Sequence, residues 1–437
     1  MNILCSAELF GFGPTSSLLA IIQGFRRYSG TRFNFYIINT EVLPPLLPEG
    51  DEFHVLQDVH QEDLRTIFAI EPPTRSDGTV GFDMVLTSYD PGAAIYGWYH
   101  DIPTVLYEGL FFLWNTHTFK DTLEGDIAFM RECKARGDVE QLFGKYTDMY
   151  SKNPHSALFA GHFFADRCYV RKTSRNEAVY QQFPVLRELV YEKGCLHDPA
   201  LAVVPEADRK HYLVSLSGSL APVISLEENI AFAEAILDWT VDIARRPHFQ
   251  GHPWIYVGHP KLIEALSDKP LPEHFTLLPA VSPTEFLDLV RYAKALFTGC
   301  GFSAMEEPGY FRVPTFIIPE QNGSHPPSIV ELRDWDYPTG FNLTATAHLN
   351  DYKEIYGKYG VAPMYRDIMS LLRSPEHAAL REDLIARFTD TLADDSARTA
   401  LVASQYDAID RMMGGFDGAR EIYEDIRDSV LPPGLMA

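Results

Sequence analysis

Residues 295–319 read ALFTGCGFSAMEEPGYFRVPTFIIP, and the pattern of this stretch decides the fold that the sequence predicts. Residues 295–298 and 313–318 are apolar runs of strand length. Between them, Gly299-Cys300-Gly301 forms a predicted turn whose glycines allow the backbone to approach a ligand closely. Backbone N–H groups at the start of the helix predicted to follow favour a phosphate or another anion. We therefore expect a strand, an anion-binding turn, a helix and a strand, in this order.

Strand-like and helix-like runs alternate through the first half of the chain. Strands are predicted at residues 2–7, 33–38, 83–87 and 104–108. Helices are predicted at residues 15–27, 64–70 and 91–99, and a mainly helical region is predicted at residues 118–196. Alternation of this kind is typical of a parallel sheet that has helices on both faces.

A second alternation follows the polar segment 205–210 and ends with the stretch quoted above. Its other predicted strands lie at residues 212–216, 254–257 and 274–278, and its helices at 226–245 and 283–292. We therefore predict an α/β fold of two doubly wound, Rossmann-like domains that face each other across a cleft. Their predicted bounds are residues 1–205 and 206–390, and a helical tail follows at residues 391–437.

The composition excludes several classes of partner. The 437 residues carry a formal net charge of −23, which disfavours binding to nucleic acid or to an anionic membrane. The five cysteines are scattered and form no Cys-x-x-Cys pair, so we expect neither a disulfide framework nor a zinc ribbon, and we predict a cytoplasmic location. No apolar run approaches the length of a membrane helix, about 18 residues. The N-terminus lacks the basic start of a signal peptide.

Ligands of open parallel sheets bind beyond the carboxyl ends of the strands. In the first domain this rule selects the loops at residues 6–14, 88–91 and 108–114. In the second domain it selects the loops at residues 215–221, 258–261, 279–282 and 299–307. The predicted anion-binding turn is one of these loops, which makes it a candidate ligand site.

The second half resembles the nucleotide-sugar glycosyltransferases of the GT-B fold, in particular those that act on bacterial natural products. Their donor segment typically reads His-x-Gly-x-x-Ser-x-x-Glu and is followed by Gly-Val-Pro. Here residues 299–307 read GCGFSAMEE and are followed by Arg312-Val313-Pro314. The first glycine of that motif, its glutamate and the Val-Pro pair are kept. The family's histidine, serine and second glycine are replaced by Gly299, Ala304 and Arg312.

The resemblance implies donor-binding roles for the matched positions. Glu307 would accept hydrogen bonds from the ribose hydroxyls, and the adjacent Glu306 is its closest competitor for that role. Backbone N–H groups from Gly301 to Ala304 would hold the diphosphate, and Val281 would flank the base. The other donor-binding residues that it implies are Ser217, Gly218, Gly299, Cys300, Phe302, Ser303 and Gln321. It also implies that the C-terminal helix packs back on the N-terminal domain.

Three carboxylates that follow strands of the first domain are candidate catalytic bases. They are Glu8, Asp90 and Glu108. A carboxylate in such a place can take a proton from an attacking hydroxyl, amine or thiol, and Asp90 and Glu108 compete with Glu8 for this task. For Glu8 the alternative is a solvent-exposed loop acid. The first loop, residues 8–13, contains no histidine base, and residue 299 is not the first glutamate of the pair found in many retaining members. The usual marker of either stereochemistry is therefore missing.

Two further motifs have a structural interpretation that we prefer. The aromatic run at residues 109–114 can line an acceptor pocket, but packing is the expected role. Asp334-Trp335-Asp336 matches a metal-binding Asp-x-Asp pattern, but its position indicates a loop. The histidines show no metal-binding spacing, so we predict no metal and no cofactor.

Together these observations predict a metal-independent glycosyltransferase of secondary metabolism, such as antibiotic biosynthesis. Its expected partners are a nucleotide-diphosphate sugar as donor and a small soluble acceptor, without nucleic acid or membrane, and a homodimer is left open. Two alternatives share the same donor site. One is a nucleotide-sugar 2-epimerase of the same fold, and the other is a non-catalytic auxiliary protein that binds nucleotide sugars.

Overall fold

The structure is a computed structural model of the chain, which folds into two compact units. The N-terminal unit comprises Met1–Leu201 together with Met412–Ala437, and the C-terminal unit comprises Ala202–Arg411. The residues that the structure describes are 1–8, 13–38, 47, 50–75, 78–114, 118–173, 175–197, 201–216, 220–221, 224–319, 337 and 361–431.

The N-terminal unit is built on a parallel sheet of seven described strands. They are β1 (Asn2–Ala7), β2 (Asn34–Ile38), β3 (Phe53–Leu56), β4 (Met84–Ser88), β5 (Thr104–Glu108), β6 (Arg167–Arg171) and β7 (Val190–Lys193). Their order across the sheet is β3-β2-β1-β4-β5-β6-β7, and every neighbouring pair is parallel. The direction of winding reverses between β1 and β4. This reversal is the switch point at which open α/β sheets bind ligands.

Helices cover both faces of this sheet. Those before the interdomain connection are α1 (Gly13–Tyr28), α2 (Leu64–Phe68), α3 (Pro91–Tyr99), α4 (Lys120–Arg136), α5 (Val139–Lys152), α6 (Pro154–Ala160), α7 (Asn176–Gln182) and α8 (Leu186–Leu189). Successive side chains of a strand point to opposite faces. Leu4 and Cys5 accordingly enter two different hydrophobic cores, one on each face. The sheet is therefore buried on both sides, as the continuous apolar runs of its strands predict.

The C-terminal unit contains a second parallel sheet, with five described strands. They are β8 (His211–Ser215), β9 (Trp254–Gly258), β10 (Phe275–Pro279), β11 (Ala293–Thr298) and β12 (Thr315–Ile317), in the order β10-β9-β8-β11-β12. The helices are α9 (Leu226–Ala244), α10 (Pro260–Leu266), α11 (Pro283–Arg291), α12 (Phe302–Phe311), α13 (Val361–Arg373), α14 (Ala378–Ala393) and α15 (Asp395–Met413). Here the winding reverses between β8 and β11, so α12 begins directly after a switch-point strand.

The last described helix, α16 (Gly418–Ser429), belongs to the N-terminal unit. It packs against α1, where the rings of Phe25 and Tyr423 meet edge to face with centroids 5.5 Å apart. Asp425 accepts a hydrogen bond from the hydroxyl of Tyr169 in β6. The expectation that a C-terminal helix packs back on the N-terminal domain is therefore confirmed.

Three strands of the N-terminal sheet are absent from the sequence-based prediction. The region 118–196, predicted to be mainly helical, contains β6 and β7, and β3 was not predicted at all. These strands are short, and the sequences RCYVR and VYEK of β6 and β7 carry charges where an apolar run is the usual signal. β6 and β7 form because β6 pairs with the backbone of β5, and β7 pairs in turn with that of β6. Tertiary pairing here overrides a weak local pattern.

A substitution at Gly418 tests how closely the start of α16 packs against the backbone of residues 194–195. A Cβ added there would overlap the carbonyl oxygen of Gly194 and lie 2.8 Å from that of Cys195, both of which are backbone atoms. Since backbone cannot move aside cheaply, Gly418→Ala is expected to destabilise the N-terminal unit by about 1–3 kcal/mol. Calorimetry of the full chain measures this as a lower unfolding temperature.

Gly144 in α5 provides the matched control, because a Cβ there meets no described atom within 4 Å. Gly144→Ala is expected to stabilise the protein by about 0.5–1 kcal/mol through helix propensity. Equal unfolding temperatures for wild type and the Gly418 variant would contradict the close packing of α16.

Candidate active site

The predicted anion-binding turn lies at the switch point of the C-terminal sheet. Thr298 at the end of β11 pairs with Ser215 at the end of β8, and residues 299–301 lead from there into α12. The N-cap residue of α12 is Gly301, whose backbone is extended and which provides no side-chain cap. By contrast, α9 and α11 are each closed by a serine–glutamate capping box. The first N–H groups of α12 are thus left without a side-chain cap in the described structure, as an anion site requires.

The residues of this turn differ in what they can present to a ligand. Cys300 is fully buried, so the turn can offer a ligand only its backbone at this position. Gly301, Ser303 and Ala304 are partly exposed. The side chain of Phe302 lies outside the described residues. The turn is therefore suited to recognition through backbone N–H groups, which bind phosphate without a positively charged side chain.

The positively charged side chain of Arg209 lies at the opposite end of α12. The guanidinium of Arg209 donates hydrogen bonds to the carbonyl oxygens of Phe311 at 3.2 Å and of Arg312 at 2.7 Å. Burial lowers the pKa of Arg209 from its usual value, but the carbonyl oxygens that it contacts favour the charged form. A positive charge at the C-terminus of a helix stabilises the helix dipole. The negative end is thereby neutralised by the protein, while the positive end faces the turn.

The structure also explains one departure from the family motif. Arg312, which replaces the glycine before Val-Pro, adopts the left-handed conformation with φ of 56°. Glycine adopts this conformation at little cost, whereas an arginine is strained. The guanidinium of Arg312 lies over the ring of Tyr406, 3.9 Å from its centroid, and this cation–π contact offsets part of the strain.

Glu306 and Glu307 occupy different environments on α12. Glu306 is buried, with 1% of its surface exposed, whereas Glu307 is partly exposed. Burial of its carboxyl group, together with the charge of Glu306, raises the pKa of Glu307 to about 8. Of the two, Glu307 is therefore the one that a ligand can reach. Without a ligand, it holds a proton near neutral pH.

The other predicted donor-binding residues have mixed outcomes. Val281 is partly exposed in the loop after β10, and the neighbouring Ala280 N–H donates to the carbonyl oxygen of Gly258 at 2.9 Å. This bond joins the ends of β9 and β10 at the same edge as the turn. Three predicted donor residues lie outside the described residues: Ser217, Gly218 and Gln321. The Asp-x-Asp motif at 334–336 also lies outside them.

At the switch point of the N-terminal sheet, Asp90 is held by neutral hydrogen-bond donors. Its Oδ1 accepts from the backbone N–H groups of Gly92 at 2.8 Å and Ala93 at 3.4 Å, which caps α3. Its Oδ2 accepts from the hydroxyl of Ser6 in β1. The side chain is fully buried, and burial raises the pKa of Asp90 to about 6 despite these bonds.

Glu8 lies beside Asp90 at the same edge, where its backbone N–H donates to the carbonyl oxygen of Ser88 at 2.9 Å. Only 6% of its surface is exposed, and its Oε1 accepts from the hydroxyl of Tyr150 at 3.3 Å. The structure thus brings together two of the three predicted carboxylates, one after each strand of the switch point. Both carboxylates are buried, which contradicts the alternative that Glu8 is a solvent-exposed loop acid.

Glu108, the third predicted carboxylate, has a different set of partners. Its Oε1 accepts from the indole N–H of Trp114, and its Oε2 lies 2.8 Å from Nε2 of His162. Nδ1 of His162 lies 2.9 Å from the carbonyl oxygen of Phe159, which can only accept, so Nδ1 carries a proton. Each oxygen of Glu108 thus has a neighbouring ring nitrogen, one from the partly buried Trp114 and one from the fully buried His162. These contacts indicate that Glu108 holds the loop that leads to Trp114 in place.

The aromatic run after Glu108 serves the core. Phe111 is 1% exposed and belongs to the same hydrophobic cluster as Phe159. Trp114 packs against that cluster while its indole N–H bonds Glu108. Of the two interpretations of this run, the structure supports packing.

Sequence reasoning missed the residues that complete the N-terminal edge. Gln61 Nε2 donates to Ser6 Oγ at 2.8 Å and to the carbonyl oxygen of Ala7 at 2.6 Å. The hydroxyl of Tyr146 donates to the backbone carbonyl of Gln61 at 3.1 Å. Tyr146 and Tyr150 lie one turn apart on α5, a spacing that marks a common helix face. Nothing in the sequence indicates that this face meets the end of β1, because the two segments are far apart in the chain.

The described residues contain no group of three or more histidine, cysteine, aspartate or glutamate side chains that could hold a metal ion. None of the described helices combines the length and the apolar character that crossing a bilayer requires.

Comparisons with solved structures show the fold. A protein from Listeria monocytogenes assigned as a UDP-N-acetylglucosamine 2-epimerase has 12% identity and a TM-score of 0.54, over 98% of this chain and 96% of its own. MnaA from S. aureus, in complex with UDP, has 11% identity and a TM-score of 0.50, over 98% and 95%. A UDP-glucosyltransferase from Polygonum tinctorium has 13% identity and a TM-score of 0.42, over 94% and 98%.

The chain therefore has the GT-B fold of nucleotide-sugar enzymes, with two Rossmann-like domains. Neither the family models nor the curated protein sequences give a match.

The buried carboxyl of Asp90 yields a prediction on stability. Its pKa is about 6 in the folded chain against 3.8 for an ordinary aspartate, so the folded state binds more protons between these values. Stability supplied by the neutral form is therefore lost as pH rises from about 4 to 7. Asp90→Asn, which keeps an acceptor for the α3 cap, removes this loss. We expect that, as pH rises over this range, the unfolding free energy of the variant increases by about 2–3 kcal/mol relative to that of wild type.

Denaturant titrations of both proteins at several pH values measure this difference. Parallel stability curves for wild type and the Asp90 variant would show that Asp90 ionises normally in the folded chain.

Proposed function

We propose that this chain is a glycosyltransferase that binds a nucleotide-diphosphate sugar, with UDP as the preferred nucleotide, at the edge of its C-terminal sheet. The observation that carries the proposal is the start of α12, which lacks a side-chain cap and follows directly after β11, a switch-point strand. Anions bind at such helix termini through backbone N–H groups and the helix dipole. The UDP complex of MnaA, which has the same fold, supports the choice of nucleotide.

In this proposal the donor is held without a metal ion. The N–H groups from Gly301 to Ala304 bind the diphosphate, and Glu307 accepts hydrogen bonds from the ribose hydroxyls. The positive end of α12 stabilises the charge that develops on the leaving diphosphate, which is the role a divalent cation has in other transferases. Arg209 supports this by neutralising the far end of the same helix.

The acceptor binds at the edge of the N-terminal sheet, and Glu8 is the proposed base. The acceptor hydroxyl gives its proton to Glu8, its oxygen forms a bond to the anomeric carbon, and the bond from that carbon to the diphosphate breaks. UDP leaves with the bonding electron pair. Asp90, whose oxygens already accept hydrogen bonds, contributes negative charge that favours proton transfer away from the acceptor. We propose a small soluble acceptor and a role in cytoplasmic secondary metabolism, such as antibiotic biosynthesis, which the motif resemblance supports.

A nucleotide-sugar 2-epimerase is the second candidate. It is supported by the similarity to the Listeria protein, which is assigned as a UDP-N-acetylglucosamine 2-epimerase and has a TM-score of 0.54. The two candidates differ in what they do to a nucleotide sugar when no acceptor is present. Incubation with UDP-N-acetylglucosamine, followed by proton NMR, leaves the C2 configuration unchanged in a transferase. Accumulation of the C2 epimer without acceptor would overturn the transferase proposal, and binding without turnover in any acceptor screen would indicate the non-catalytic alternative.

Substitution of Glu307 tests the donor site. Glu307→Gln removes a charged acceptor of two ribose hydroxyl bonds, so the affinity for UDP is expected to fall about 10- to 100-fold. Isothermal titration of the full chain with UDP measures this. The adjacent Glu306→Gln is the matched control, because Glu306 is buried whereas Glu307 is partly exposed. Equal losses in both variants would indicate disruption of α12 instead of a lost contact.

The pH dependence of UDP binding follows from the same residue. Since the pKa of Glu307 is raised to about 8 and the ionised carboxylate is the better acceptor, UDP affinity is expected to rise between pH 7 and 9. The Glu307→Gln variant should show a flat profile. Glu306→Gln removes a charge that raises this pKa, so its rise should occur at lower pH. A wild-type profile that is flat or falls with pH would contradict the assignment.

A further inference from the structure

Polar side chains cluster at the end of the N-terminal switch point, and we call this cluster the acidic niche and define it by Ser6, Glu8, Gln61, Asp90 and Tyr150. Glu8 and Asp90 carry buried carboxyl groups and follow β1 and β4, the two strands between which the winding reverses. Ser6 links Gln61 to Asp90, since its Oγ accepts from Gln61 and donates to Asp90. Tyr150 closes the niche from α5 by donating to Glu8.

One buried acceptor in the niche, Oε1 of Gln61, has no hydrogen-bond donor among the described residues. Gln61 is 3% exposed, and its Nε2 donates hydrogen bonds to Oγ of Ser6 and to the carbonyl oxygen of Ala7. The orientation of its amide is fixed, because the carbonyl of Ala7 can only accept a hydrogen bond. Its Oε1 is buried and has no hydrogen-bond partner among the described residues. A buried acceptor in this state is costly and calls for a donor.

The charge around this atom selects the kind of donor. The hydrogen-bond partners of Asp90 are Ser6, Gln61 and the N–H groups that cap α3, all of which are neutral. Burial raises the pKa of the Tyr150 hydroxyl, and the carboxylates of Glu8, Asp90 and Glu62 raise it further. The niche therefore combines a negative potential with one acceptor, Gln61 Oε1, that has no donor among the described residues, which favours a positively charged donor group.

We propose that the acceptor of the transfer is a protonated amino alcohol, whose ammonium group donates to Gln61 Oε1 in the field of Asp90 and Glu8. This inference rests on the proposed function, and it names the substrate class of the same site. Ala7, bonded to the Gln61 amide, immediately precedes Glu8 in the chain. An ammonium group at Gln61 thus brings a hydroxyl on a nearby carbon toward Glu8, the proposed base. A divalent metal ion is disfavoured, because both oxygens of Asp90 already accept hydrogen bonds.

A pair of sugars that differ in one group tests this. The probes are D-glucosamine and D-glucose, which carry an ammonium group and a hydroxyl, respectively, at C2. Saturation-transfer NMR titrations of the full chain at about pH 7, with and without saturating UDP, measure both dissociation constants. We expect glucosamine to bind about tenfold more tightly than glucose, because a hydrogen bond to a charged group is the stronger one.

Two variants locate the effect. Gln61→Met removes the amide and is expected to abolish the preference for glucosamine, and Asp90→Asn, which keeps the cap of α3, is expected to reduce it. Glu140→Gln is the control, since this exposed residue pairs with Arg65 on the surface; it should keep the full preference.

Equal affinities for the two sugars, no binding of either, or a preference that survives in both niche variants would overturn the inference. A UDP titration of the same sample reports on the donor site separately. If UDP binds and the sugars are not distinguished, the amine assignment fails while the proposed function stands; if UDP does not bind, the proposed function fails.

Discussion

Parallel pairing on both sides of a switch-point strand is the constraint on which both candidate sites depend. In a parallel sheet all strands present their carboxyl ends at one edge, and helices that start there present their N-termini to it. In the N-terminal unit the β1–β4 pairing brings Ser6 and Glu8 next to Ser88 and Asp90. In the C-terminal unit the β8–β11 pairing places the turn after Thr298 at the same kind of edge. The N-terminal site is assembled by the sheet register from residues that are far apart in the sequence, whereas in the C-terminal unit the register places one continuous segment, residues 299–307, at the edge.

The two edges use their helix N-termini in opposite ways. At β4 the carboxylate of Asp90 occupies the start of α3, so the positive end of that helix is satisfied within the protein. At β11 the start of α12 has a glycine N-cap and no side-chain cap, while Arg209 neutralises its other end. An anionic ligand is therefore repelled at the first edge and attracted at the second. This asymmetry is the electrostatic basis for assigning the donor to the C-terminal unit and a cationic acceptor to the N-terminal unit.

The sequence predicted those elements whose local signals agree with the fold. The strands at 2–7 and 104–108 and the helix at 91–99 match the structure residue for residue, because apolar runs of strand length and an Asp-Pro helix start are strong signals. The motif also favoured Glu307 over Glu306, and the greater exposure of Glu307 agrees with that choice. By contrast, β6 and β7 depend on pairing with β5. Gln61 and Tyr150 enter the site through contacts between distant segments, which have no local signature.

Two carboxyl groups with raised pKa values lie at the two edges, Asp90 in one unit and Glu307 in the other. In each case burial is the main cause, and a buried carboxylate reduces stability at neutral pH. At Asp90 a neutral Asn would cap α3 as well, so the cap alone does not account for an acid there. Strongly shifted pKa values are common at functional sites, where a ligand that donates hydrogen bonds makes the charged form of such a group favourable, and this supports the proposal of a ligand site at each edge.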